Sequence, residues 1–300
     1  MEKDQLNIDE TTLSVDLSEA TDAVRDGNFE HALKLLKIIL KEHPEYIDSL
    51  YLAAVSSRYL KQFEDSKKYI EQLLVIAPDM GRAYQELGHL NRDMGDEEKA
   101  VVHYRQACEL NPALIAGWNF LYQYFLKNNN KPAADHALEQ INKLKSLPGV
   151  LLYIDQILNE GRLGMAEAKC RSFLKENPTH TYAMSLLSEI ANRLGYFDDA
   201  EFLLEKAVEF KPDDGDLRMK YASILRKKQK FAKTMEQVNI LCDKYPENLN
   251  YQAQKASEIM QNGDHEEAIT LLDDILSKNP YNFSTLTSKG HAQKTLGRTD

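Results

Sequence analysis

The sequence predicts an all-α fold, a solenoid of antiparallel helix pairs, because several residue columns recur at one period. Seven prolines stand at 44, 78, 112, 178, 212, 246 and 280, spaced by 34, 34, 66, 34, 34 and 34 residues. The gap of 66 divides into 34 and 32, so one unit is two residues short. The implied frame starts at residues 13, 47, 81, 115, 147, 181, 215, 249 and 283. Its position 20 is small throughout: Ala32, Ser66, Ala100, Ala134, Ala166, Ala200, Thr234 and Ala268. Its position 15 is mostly glycine: Gly27, Gly95, Gly161, Gly195, Gly263 and Gly297, with Lys61, Asn129 and Gln229 between. Position 8 is small except at Tyr122 and Ile154. Fixed self-similarity at this length marks a repeat architecture, in which each unit buries its apolar face against its neighbours only.

The third unit, Gly81–Pro112, shows why each element forms. Tyr84, Leu87 and Gly88 share one face of a first helix, and Ala100, Tyr104 and Ala107 share one face of a second. Gly95 ends the first helix at little steric cost. Pro112 ends the second, since it cannot extend the hydrogen-bond ladder. Gly88 and Ala100 are small where two helices must approach closely. The stretch resembles the tetratricopeptide repeat, a helix–turn–helix unit of 34 residues. That resemblance implies a right-handed superhelix whose first helices line a concave wall.

The remaining units follow in order. Residues 1–12 are polar and acidic and form a tail with no apolar core of the signal-peptide kind. The first repeat carries Asp16 and Glu19 in place of bulky residues and reads as a cap. The second sets Tyr51, Leu52 and Val55 at inner-wall positions. The fourth, Ile115–Ser146, is the short one, turning at Lys127–Pro132. Tyr122 and Ile154 are too bulky for close approach, which predicts altered packing over 115–165. Repeats six to eight regain the register. The ninth stops after one helix, whose Leu286, Gly290 and Leu296 await a partner, so the natural protein is expected to continue beyond Asp300.

The stretches Cys170–Asp214 and Gly290–Arg298 are similar to the repeat region of bacterial tetratricopeptide-repeat sulfotransferases. That resemblance, over residues 80–300, implies a recruiting arm joined in cis to a C-terminal catalytic domain. This chain holds no counterpart of the sulfotransferase domain or its catalytic residues. A free-standing adaptor is the alternative.

Composition narrows the function. The three cysteines form no CxxC pair and suit buried thiols in a reducing, cytoplasmic compartment. No apolar run is long enough for a membrane span. The net charge of −10 disfavours nucleic acid as a main partner. Phosphate-loop, zinc-protease and nucleophile-elbow motifs are missing, and eight histidines are scattered, so neither enzyme nor cofactor is expected. Position 5 is never lysine, against a clamp for chaperone tails, and position 6 lacks an asparagine ladder. What remains is a groove for a protein or peptide. Its expected wall comprises Tyr51, Leu52, Phe120, Leu151, Leu152 and Lys220. A basic column at the ends of first helices, including Arg58, Arg92, Arg193 and Arg226, points to acidic partners.

Overall fold

The computed structural model describes residues 17–298, and every regular element among them is a helix. The polar tail and Asp16 lie outside the described residues. The described residues form two compact units, divided between Arg162 and Leu163. The division falls inside the stretch where Tyr122 and Ile154 interrupt the column of small residues.

In the first unit α1 (17–25) is followed by α2 (Phe29–Glu42), α3 (Ile47–Tyr59), α4 (Phe63–Ile76), α5 (Gly81–Asp93), α6 (Glu97–Leu110), α7 (Ile115–Lys127), α8 (Lys131–Lys145) and α9 (Gly149–Asn159). The second unit holds α10 (Leu163–Glu176), α11 (Thr181–Arg193), α12 (Phe197–Phe210), α13 (Gly215–Lys227), α14 (Phe231–Lys244), α15 (Leu249–Gln261), α16 (His265–Lys278) and α17 (Phe283–Thr295). Consecutive helices pack from α2 through α8 in the first unit and from α10 through α17 in the second, as α3 on α4 and α11 on α12. First helices also meet across repeats, α3 with α5 and α5 with α7. α3, α5 and α7 therefore form one continuous layer in the first unit.

The turns follow from backbone chemistry. Position 15 is left-handed in every repeat, including Lys61 at φ 60°, Asn129 at 54° and Gln229 at 58°. Glycine enters that region freely, whereas a Cβ makes it costly. Asn28, Asp96 and Asn130 then cap the following helices by accepting from backbone N–H groups.

Close packing fixes the repeat interior. Ala32, Ser66, Ala100 and Ala134 are fully buried in the first unit, as are Ala166, Ala200, Thr234 and Ala268 in the second. The neighbour of Gly88 is an aromatic ring: a Cβ on Gly88 would lie 2.9 Å from Tyr104. Tyr104 cannot yield, because it is itself fully buried, with its ring centroid 4.4 Å from that of Phe120.

The shortening lies elsewhere than the sequence suggests. The fifth repeat's first helix starts at Gly149, 34 residues after Ile115, and has 11 residues where its counterparts have 13. The fourth repeat is therefore full length, and the two residues are missing from α9. Leu151 becomes the third residue of its helix, the place that Ser49, Ala83 and Gly117 occupy, and all four are buried.

Overfilling the crossing points should destabilise the chain. Gly88→Ala and Ala100→Leu are each expected to cost about 1–3 kcal/mol in urea unfolding. Gln229→Gly should instead raise stability by roughly 0.5–1 kcal/mol, by relieving a left-handed backbone.

Candidate binding face of the first unit

The layer of first helices carries most of the predicted groove residues, but it holds them in a charge network. The Arg58 guanidinium donates from Nε to Glu86 at 2.5 Å and from Nη1 to Asp93 at 2.7 Å. Arg58 and Glu86 are buried, with side chains 6% and 3% exposed. Burial raises the Glu86 carboxyl, Arg58 opposes that, and the net is upward. Asp93 is held below the usual carboxylate range, as hydrogen bonds from Arg92 and Arg58 outweigh its partial burial.

A second cluster joins repeats far apart in sequence. Arg82 donates to Glu160, with Nη2 to Oε2 at 2.9 Å, and lies 3.6 Å from Asp48. Arg162 reaches Asp48 at 3.4 Å. The Arg82 guanidinium stacks 4.4 Å from the centroid of Tyr51. Burial, reinforced by Glu86, pushes the Tyr51 hydroxyl up to about 12. The turn after α9 is thus bound to the starts of α3 and α5, and the first unit curls on itself. Beside the cluster lies a hollow of about 570 Å³, walled by residues 45–48, 77–80 and 159–162.

The predicted wall is changed in three respects. Leu151 is fully buried and unavailable to a ligand, because α9 starts late and sets it in the core position described above. Arg58 is likewise buried, satisfied by two carboxylates of α5. The basic column is neutralised rather than open. In the first unit Arg92 pairs with Asp93 at 2.8 Å and Lys127 with Glu97 at 2.6 Å. In the second, Arg193 pairs with Glu189 at 2.9 Å and Arg226 with Glu258. Lys220 donates to Ser185 Oγ at 2.8 Å. The basic run near 226–233 is similarly engaged, with Lys228 on Asp198 and Glu201 and Lys230 on Glu201. Tyr51, Leu52, Phe120 and Leu152 remain half-buried. Sequence reasoning missed Asp48, Arg82, Glu86, Glu160 and Arg162.

The other reactive side chains are also occupied in packing. Burial pushes the Cys108 thiol up to about 12 and that of Cys170 to about 11, so both stay protonated. His89 Nδ1 and the Tyr104 hydroxyl share a hydrogen bond of 2.6 Å. Burial, then Arg58 and Arg92, lowers His89 to about 4. Among the described residues no group of three His, Cys, Asp or Glu is placed to hold a metal ion. None of their helices is long and apolar enough to cross a membrane.

Two tests follow. Glu86→Gln leaves Arg58 buried and short of charge, and should cost about 3 kcal/mol, most of it recovered by Arg58→Met with Glu86→Leu. His89 titrates near 6.5 when unfolded and about 4 when folded. Its neutral form therefore supports folding fully above pH 6.5, and that support is lost as pH falls toward 4. His89→Gln should flatten stability across that window, measured by urea unfolding at successive pH values.

A family model of the tetratricopeptide repeat matches residues 81–114 and 182–214. The human tetratricopeptide repeat protein 21B is 23% identical over 72% of this chain, which spans only 14% of that protein. A crystal structure of the APC/C hetero-tetramer Cut9-Hcn1 aligns over 97% of this chain and 60% of its own, at 15% identity and a TM-score of 0.43. Naa15/Naa10 bound to HypK-THB aligns over 91% of this chain and 43% of its own, at 18% identity and a TM-score of 0.40. The MamA protein aligns over 68% of this chain and 94% of its own, at 16% identity and a TM-score of 0.38. The two matched segments coincide with the helix pairs α5–α6 and α11–α12, and each is a tetratricopeptide repeat.

Proposed function

We propose that the chain is a scaffold that binds a protein or peptide and performs no catalytic step. One observation carries this reading. The layer of first helices in the first unit keeps Leu52, Phe120 and Leu152 half-buried, while the titratable groups among them are engaged in internal pairs. Such a face offers apolar contact area and no activated nucleophile or base. An acidic partner, expected from the basic column, would compete with the carboxylates that those cations already face. Nucleic acid is disfavoured for the same reason and by the net charge of −10. Three unbridged thiols suit a cytoplasmic location.

A sulfotransferase arm with its catalytic domain in cis rests on the repeat stretches Cys170–Asp214 and Gly290–Arg298 alone. Nothing in the geometry of either unit favours it over the free adaptor. Binding of phosphoadenosine phosphosulfate to a longer natural chain would support the arm, and no binding is expected of residues 1–300.

Selection of a displayed random-peptide library on the intact chain tests the scaffold reading. Enriched peptides should lose about tenfold in affinity on Phe120→Ala with Leu152→Ala, variants kept only if circular dichroism shows unchanged helix. Equal binding to wild type and variant would remove this face as the site.

A further inference from the structure

The hollow beside Asp48 differs in kind from the rest of the surface. Ile47 and Pro78 give it an apolar side, and Ile47 is 37% exposed. Glu45, Asp48, Asp79 and Glu160 surround it against a single cation, Arg162. Asp48 and Glu160 are committed to Arg82 and Arg162, as described above. Glu45 and Asp79 have no partner among the described residues.

The repeat register shows that this lack is particular to the first unit. Glu45, Asp79, Asp213 and Glu247 all occupy position 33 of the frame. In the second unit Lys244 pairs with Asp213, and Lys278 lies 3.6 Å from Glu247. Both lysines stand at position 30 of the following repeat. The corresponding residues in the first unit are Ile76 and Leu110. There the internal cation is replaced by an apolar side chain, and Ile76 is 37% exposed. Two uncompensated carboxylates thus flank an apolar hollow of about 570 Å³, a size that takes a few side chains.

We propose that this hollow docks a peptide segment in which lysine or arginine alternates with apolar residues. The cations would stand where Lys244 and Lys278 stand in the second unit, on Glu45 and Asp79, and the apolar side chains would cover Ile47 and Pro78. The proposal rests on the scaffold reading but uses an edge formed at inter-repeat turns, whose wall includes neither Phe120 nor Leu152.

The test uses the intact chain and a fluorescein-labelled decapeptide alternating lysine with leucine, read by fluorescence polarisation. A counterpart with glutamate for every lysine serves as control. The lysine probe should bind and the glutamate probe should not. Glu45→Lys with Asp79→Lys should weaken binding at least tenfold. Ile76→Lys, which supplies the missing internal cation, should weaken it several-fold. Phe120→Ala should leave it unchanged. Failure of the lysine probe to bind, or equal binding by Glu45→Lys with Asp79→Lys, overturns the proposal. If library peptides still depend on Phe120 in that event, the scaffold reading survives alone. If instead the hollow binds the probe and no library peptide depends on Phe120, the inner-face reading falls and this one stands. Light scattering closes the remaining case. A concentration-dependent dimer abolished by Glu45→Lys with Asp79→Lys would assign the hollow to a second copy and overturn the peptide partner.

Discussion

The stack depends on one steric constraint: at position 20 the second helix of each repeat presents nothing larger than threonine. Ala32, Ser66, Ala100 and Ala134 in the first unit are sealed from solvent by that approach, and Ala166, Ala200, Thr234 and Ala268 in the second are sealed likewise. A two-helix repeat cannot bury an apolar face by itself. The close approach lets larger residues of neighbouring repeats, such as Tyr104 and Leu121, meet in one apolar cluster. Burial of that cluster is non-directional, so the small column is what sets the geometry.

The charge network of the first unit sits on that frame. Removing Arg58 and Glu86 from water is expensive, and their mutual attraction offsets the cost only because Asp93 and the Nη1 donor complete the set. Such pairs contribute little net stability against an apolar isostere, but one partner without the other is strongly unfavourable. They therefore fix which residues meet. Here they fix the curl of the first unit, because Arg82 joins Glu160 across a separation of 78 residues. A face that satisfies its own charges leaves recognition to the half-buried apolar residues and to the few carboxylates without an internal partner.

The helix pairs were legible in the sequence because small residues, glycine and proline act locally, within one turn or one crossing. The candidate site was legible only in part. Leu52, Phe120 and Leu152 were found because inner-face positions follow from helical periodicity. Arg58 and Arg226 were read as an open stripe because their carboxylate partners lie in the next repeat, 28 residues on for Glu86 and 32 for Glu258. No pattern within one repeat shows such a partner. Leu151 was misplaced for a different reason: the prolines show that two residues are missing, but not from which helix. The hollow became visible only once the position-33 carboxylates of the two units could be compared with the residues facing them.

The account stands most directly on the bond between the turn after α9 and the start of α5. A double-mutant cycle of Arg82→Met and Glu160→Leu, read by urea unfolding of the intact chain, measures it. Contact between two largely buried charges predicts a coupling of roughly 1–3 kcal/mol. A coupling within about 0.3 kcal/mol of zero, the range expected of independent sites, would show that the turn is not held there and would contradict the curled first unit.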